Sequence, residues 1–233
     1  MPCKARGGVV EWDREVVMDE KVLNITNGDC FNGYFISRFG GVAVPFCEAV
    51  IDGDVVEDIY SDDFVTLRAK CLNVTEGEYR SKMQAYDVLN VGDFLSISLW
   101  FGKDTFCQVN LVTLLAYLEQ IQFKGDVKLN YIDDRTFKTI ERDIDVKLGG
   151  YKDIYRQIFI EKRMPCDVGV LSKKAIELYF DYRNKNGRLA TMVKNNAEKS
   201  KEDLLTMLKS EAEDYGLTIS QLDKIISTAL QEK

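Results

Sequence analysis

The stretch from Asp93 to Phe123, DFLSISLWFGKDTFCQVNLVTLLAYLEQIQF, restricts the fold more than any other part of this chain. Leu95, Ile97 and Leu99 alternate with Phe94, Ser96 and Ser98, the two-residue period that predicts a strand from Phe94 to Leu99. A short turn carrying Trp100, Gly102 and Asp104 follows. Beyond it Leu111, Leu114, Leu115 and Leu118 recur at helical spacing, with Val109, Val112, Ile121 and Phe123 widening the stripe, which predicts a long helix with an apolar face. A strand that feeds such a helix through a few residues is half of a βαβ unit. In open α/β sheets the ligand crevice lies beyond the carboxyl ends of the strands, so this turn points to where a site is expected.

Composition narrows the chemistry. The 233 residues contain no histidine, which removes Ser/His/Asp and Cys/His nucleophile systems, H-E-x-x-H zinc sites and the deaminase H-x-E signature. The six cysteines, Cys3, Cys30, Cys47, Cys71, Cys107 and Cys166, are scattered with no C-x-x-C pair. Reduced, mostly buried thiols are expected, rather than a disulfide framework or a zinc ribbon. With 45% hydrophobic residues the chain can bury a core. No apolar run has membrane-spanning length, and the amino terminus lacks the pattern of a secretory leader, so a cytoplasmic location is expected. The net charge of -7 is uneven: residues 1–150 carry 16 Lys and Arg against 25 Asp and Glu, and residues 151–233 carry 15 against 13. A broad nucleic-acid footprint is therefore not expected on the first part, while the second remains open to a polyanion or a protein partner.

Residues 1–17 lack periodicity and are expected to form a mobile tail, with Met18 a candidate natural start. Lys21 to Thr26 reads as a strand, followed by Asn27, Gly28, Asp29 and Cys30 and a short helix ended by Gly40 and Gly41. Val42 to Phe46 reads as a second strand, in which Pro45 indicates the strand end or an edge. Ser61 to Leu72 and Glu76 to Leu89 read as helices, the first with Phe64, Leu67, Cys71 and Leu72 on its inner face. Val127 to Ile132 and Thr139 to Lys147 read as further strands, the second at an edge. Gly149 and Gly150 mark a boundary, after which the pattern is helical. The expected architecture is an α/β domain over residues 18–150, with a mostly parallel sheet flanked by helices, followed by a smaller all-α domain over residues 151–233.

Laid out in this way, the chain resembles a bacterial family known only as domain of unknown function eighteen thirty-five. The resemblance rests on the ITNGD turn from Ile25 to Asp29, on Pro45 and Glu48, and on LWFGKD from Leu99 to Asp104 with Gln108 and Leu111 after it. It covers about residues 22–132. It implies a following helical region, whose closing helix Leu217 to Ile226 resembles. Asn24 stands where that family usually has histidine, Cys30 where serine is usual and Phe46 where tryptophan is usual.

Asp29, Glu48 and Asp104 all follow predicted strands. If those strands are parallel neighbours, the three carboxylates converge at one rim of the sheet and act as the catalytic group. Clustered oxygens suit Mg²⁺ or Mn²⁺ bound with a phosphate-bearing small molecule, with Asp29 and Asp104 as metal ligands and Glu48 as ligand or base. Such an ion supports phosphate or phosphodiester chemistry without histidine. Asn27, Gly28, Cys30, Trp100 and Gln108 are the candidate ligand contacts. Against this, Asp29 and Asp104 each precede a helix, and capping alone accounts for both. A second class is a non-catalytic nucleotide or anion module using Asn27, Gly28 and helix N–H groups. A third places function in the helical part, where Arg183, Lys185, Arg188, Lys194, Lys199 and Lys201 form a basic stretch, as in a regulator that binds DNA or a partner.

Overall fold

The computed structural model describes residues 21–231; the expected tail and the expected start at Met18 lie outside them. The described residues form a five-stranded sheet in the order β2-β1-β3-β4-β5. Its strands are β1 (Val22–Asn27), β2 (Ala43–Phe46), β3 (Ser96–Phe101), β4 (Asp126–Ile132) and β5 (Thr139–Asp145). The first four run parallel, and β5 lies antiparallel to β4. The α/β fold with a mostly parallel sheet and carboxy-terminal helices is thus present. β2 is an edge strand, where Pro45 removes no ladder bond that a central strand would need.

Nine helices join or follow the strands before the last one. They are α1 (Asp29–Phe39), α2 (Asp62–Leu72), α3 (Glu76–Lys82), α4 (Gln84–Val91), α5 (Thr105–Gln120), α6 (Tyr151–Tyr155), α7 (Lys173–Arg183), α8 (Arg188–Asn195) and α9 (Lys201–Glu211). The last is α10 (Ile219–Gln231). The α6 helix continues as one π-helical turn over Arg156–Ile160. No helix among the described residues is long and apolar enough to cross a membrane.

Three local expectations are corrected. Trp100 lies inside β3, not in the turn, because Thr26 of β1 and Asn130 of β4 both pair with it. Asp29 does not cap α1: Gly28 is the cap residue, at φ 85°, and it makes no side-chain capping bond. The inner face of α2 is Phe64, Val65, Arg68 and Ala69, while Cys71 is exposed.

The two sheet faces are unequal. Leu23, Ile25, Ile97, Leu99 and Leu129 point into the main core, whose centre is α5. That helix has no charged residue from Thr105 to Leu118 and is buried around nearly its whole circumference, as expected for a helix that is apolar on all sides. The opposite sheet face is covered by α1, through a small cluster of Phe31, Phe35, Trp100 and Ile132.

The main core does not stop at Gly150. Tyr151, Ile154, Tyr155, Ile158, Phe159, Leu171, Ile176 and Tyr179 belong to it. Glu119, at the end of α5, accepts bonds from the backbone N–H groups of Gly149, Tyr151 and Lys152 at 2.6, 2.8 and 3.0 Å. A separate core gathers Leu189, Val193, Leu204, Leu208, Leu222 and Ile226. The change of core thus falls after α7, beyond the glycine pair.

Candidate functional site

Strand order decides what the rim can do. β1 leads outward to β2 on one side and β3 leads to β4 on the other, so the loops after β1 and β3 diverge and leave a crevice between them. Asn27 and Gly28 form its one lip; Gly102 and Asp104 form the other.

Asp104 caps α5, its Oδ1 accepting from the Cys107 N–H at 2.9 Å, so the capping expectation holds there. The same carboxylate faces Asp134, in the turn after β4. Ligand atoms of Asp104, Cys107 and Asp134 all lie within 4.8 Å of one another. Asp134 is an exposed residue of its turn, yet its carboxyl group folds back over the backbone of Gly102. A Cβ on Gly102 would meet Asp134 Oδ2 at 1.8 Å. A side chain at position 102 would therefore push the Asp134 carboxyl aside.

The group is wired to β1. Asn110 Nδ2 donates to Asn27 Oδ1 at 3.1 Å, Asn27 Nδ2 donates to Cys107 Sγ at 2.9 Å, and the Cys107 thiol donates to Asp134 Oδ2 at 3.4 Å. Asn110 also donates to the Glu48 carbonyl. One buried asparagine on α5 therefore ties together the loops after β1 and β2.

Desolvation pushes the Asp134 carboxyl up to about 8, assisted by its hydrogen bond with Asp104 and by that residue's negative charge. Burial, together with the two aspartates, holds the Cys107 thiol well above its ordinary value, so it stays neutral and is no thiolate nucleophile. Two carboxylates this close share a proton or hold a cation.

The titration has a definite sign. The folded state keeps a proton on Asp134 that the unfolded chain has released above about pH 4, so stability falls as pH rises from about 4 to 8 and is level beyond. Asp134→Asn mimics the protonated acid. At pH 8.5 without divalent cations it is expected to raise the Tm by roughly 2–4 °C, the shift that about 1 kcal/mol produces in a chain of this size. The gain should vanish near pH 4; an equal gain at both pH values would refute the shared-proton account.

The carboxy-terminal helices complete the cleft. Gly216 sits directly on Asp104, where a Cβ would meet Oδ1 at 2.2 Å. Thr105 Oγ1 donates to the Asp214 carbonyl at 3.2 Å. Gln108 donates to the Gly102 carbonyl at 2.6 Å and accepts from the Ser172 N–H at 2.8 Å. The resulting cleft, about 510 Å³, has Asp104 and Asp134 at its base. Lys103, Arg135 and Lys209 line it, and Ile140 and Ile219 form its apolar walls.

The other predicted site residues go elsewhere. Asp29 pairs with Lys82 at 3.2 Å and accepts from the Cys47 thiol at 3.3 Å, beside a second hollow lined by Leu72, Val74 and Met83. Burial and Asp29 push that thiol up to about 12. Glu48 is fully buried, paired with Arg68 at 2.9 Å and accepting from the Tyr79 hydroxyl. Among the described residues, Asp29, Glu48 and Asp104 form no common cluster: each carboxylate has local partners that turn it away from the other two. Trp100 is buried against Phe31, Phe35 and Phe39, and its Nε1 donates to Asn24, so its ring is not offered to a ligand. Gln108 is buried and engaged as above. Among the free cysteines of the described residues only Cys107 is buried, while Cys71 and Cys166 are exposed, against the expectation of mostly buried thiols.

Asp134 and Cys107 were not singled out by sequence. The signal for Cys107 is the company it keeps: polar residues in a charge-free, fully buried helix must find partners inside the protein. In the basic stretch of the helical part, Arg183 pairs with Asp54, Arg188 with Glu211 and Lys201 with Asp223. No protein-family model matches this chain, and neither does any curated protein or solved structure.

Proposed function

We propose that the cleft between the β3 and β4 ends and the carboxy-terminal helices binds a divalent cation through Asp104 and Asp134, and through it a phosphate-bearing small molecule. The observation that carries this reading is the proximity of the two carboxylates over Gly102, which a proton or a cation would offset. Mg²⁺ and Mn²⁺ are held in this way, by one or two carboxylates with substrate phosphate completing the shell. Lys103, Arg135 and Lys209 bring positive charge to the same cleft. Lys103 and Arg135 already pair with Glu141 and Glu213, whereas Lys209 has no ion-pair partner among the described residues.

Such a cation would activate water or stabilise a transferring phosphoryl group. A non-catalytic module is the second reading, and one observation favours it: Cys107 is held neutral and Glu48 is enclosed, so neither is poised as a base.

Thermal shift with Mg²⁺, Mn²⁺ and Zn²⁺ tests the site. Mn²⁺ is expected to stabilise the protein, and both Asp134→Asn and Gly102→Ala should abolish the shift. Gly102→Ala keeps both carboxylate residues in the chain but drives the Asp134 carboxyl aside. Cys107→Ser should keep the Mg²⁺ and Mn²⁺ response and weaken that to Zn²⁺, which favours thiolate. An Mn²⁺ shift unchanged in both Asp134→Asn and Gly102→Ala would sink the proposal. Release of phosphate from mono- and diester panels then separates enzyme from binding module.

A further inference from the structure

A second site is carried by the other side of α10. The α7–α8 turn and α10 flank an open hollow of about 280 Å³, lined by Arg183, Lys185 and Lys224 among others. Neither Lys185 nor Lys224 has an ion-pair partner among the described residues. Arg183 meets Asp54 with one nitrogen at 3.1 Å, which leaves further donors of its guanidinium fork.

One acid, Asp52, stands in the same wall and is held in place by neutral donors. Asp52 Oδ1 accepts from the Tyr182 hydroxyl at 2.7 Å, and its Oδ2 accepts from Gln221 Nε2 at 2.6 Å. Both oxygens are thus spent on fastening α7 and α10 to the turn after β2. Cations at the end of α7 would be expected anyway, because they offset the negative end of its dipole. That accounts for Arg183 and Lys185 but not for Lys224, which projects from the middle of α10. Arg183, Lys185 and Lys224 outnumber Asp52 in the wall and Asp54 beside Arg183, which leaves a local excess of positive charge in a chain of net charge -7.

We propose that this hollow binds a compact phosphate monoester. Arg183 supplies directional donors and the two lysines supply charge, while Thr228 adds a hydroxyl and Ile225 and Ala229 an apolar floor for the organic part. The volume lies just below the range of small-molecule pockets, roughly 300–1,000 Å³, so it suits a sugar phosphate better than a dinucleotide. This site is separate from the carboxylate cleft and needs no metal.

The test is calorimetric titration of the full chain, free of divalent cations, with inorganic phosphate, glucose 6-phosphate and a single-stranded oligonucleotide. Saturable binding of glucose 6-phosphate is expected, weakened at least about tenfold by Lys224→Glu and by Lys185→Glu, and unchanged by Lys209→Glu in the other cleft. All three lysines are exposed, and circular dichroism confirms that each variant folds. The proposal is overturned if glucose 6-phosphate does not bind, if Lys224→Glu and Lys185→Glu bind it as the parent does, or if only Lys209→Glu loses it. Oligonucleotide binding tighter than glucose 6-phosphate, with a steep salt dependence, would also overturn it, in favour of a nucleic-acid surface. None of these outcomes depends on the Mn²⁺ response, so either site can fail alone.

Discussion

A chain ending at Gly150 is expected to lose cooperative folding, although that glycine pair is the clearest break in the sequence pattern. Ending there removes Tyr151, Ile154, Tyr155, Ile158, Phe159, Leu171, Ile176 and Tyr179 from the core built around α5. Each fully buried side chain of this kind contributes about 1.5–3 kcal/mol, so eight amount to roughly 12–24 kcal/mol, against about 5–15 kcal/mol for the net stability of a whole domain. The cut also strips the Val170 carbonyl from the Tyr131 hydroxyl and the Tyr155 hydroxyl from the Val56 carbonyl. Near-ultraviolet dichroism and urea titration should show a molten or aggregating chain. A chain ending at Asn186 should still unfold cooperatively, because Leu189, Leu204, Leu208 and Ile226 form a core of their own. A cooperative, near-native transition in the shorter chain would show that residues 151–183 are an accessory and not part of the first unit.

That expectation marks where the sequence was legible and where it was not. Periodicity in residues 93–123 identifies the central strand and helix, because burial on one face or on all faces leaves a repeat in the residues themselves. Pairing partners leave no such repeat. Neither the β2-β1-β3-β4-β5 order nor the crevice it opens can be read from any one strand. The same gap explains the site. Asp104 is recognisable by its place before a helix, but Asp134 looks like an ordinary turn residue beside Asp133, whose carboxylate does close that turn through Arg135 and Thr136. Only the parallel register of β3 and β4 brings Asp134 over Gly102. Gly150 misleads for a related reason: glycine reports a backbone bend, at φ 115° here, whereas a domain limit depends on which side chains share a core.

Glu48 presents the opposite error, a carboxylate in a plausible place that is held for structure, and Arg68 is the residue that decides this. Arg68 is fully buried in the middle of α2. Its Nε and NH2 groups donate to Glu48 Oε1 at 3.2 and 2.9 Å, and NH1 donates to the carbonyls of Asp52 and Asp54 at 2.7 and 3.2 Å. Glu48 Oε1 also accepts from the Ala49 N–H at 2.8 Å, and Oε2 takes the Tyr79 hydroxyl. Removing one partner of such a pair leaves the other charge buried and alone, which costs about 3–5 kcal/mol. Arg68→Met is therefore expected to lower the Tm by roughly 6–20 °C, at about 2–4 °C per kcal/mol in a chain of this size. Adding Glu48→Leu to it should recover part of the loss, since no unpaired charge then remains. Glu48→Gln separates structure from chemistry: it should destabilise the protein yet keep the full Mn²⁺ thermal shift, because the proposed cation site is built from Asp104 and Asp134 alone. A near-parental Tm for Arg68→Met, or an Mn²⁺ response lost in Glu48→Gln, would return Glu48 to the functional site and break the assignment of these carboxylates to separate tasks.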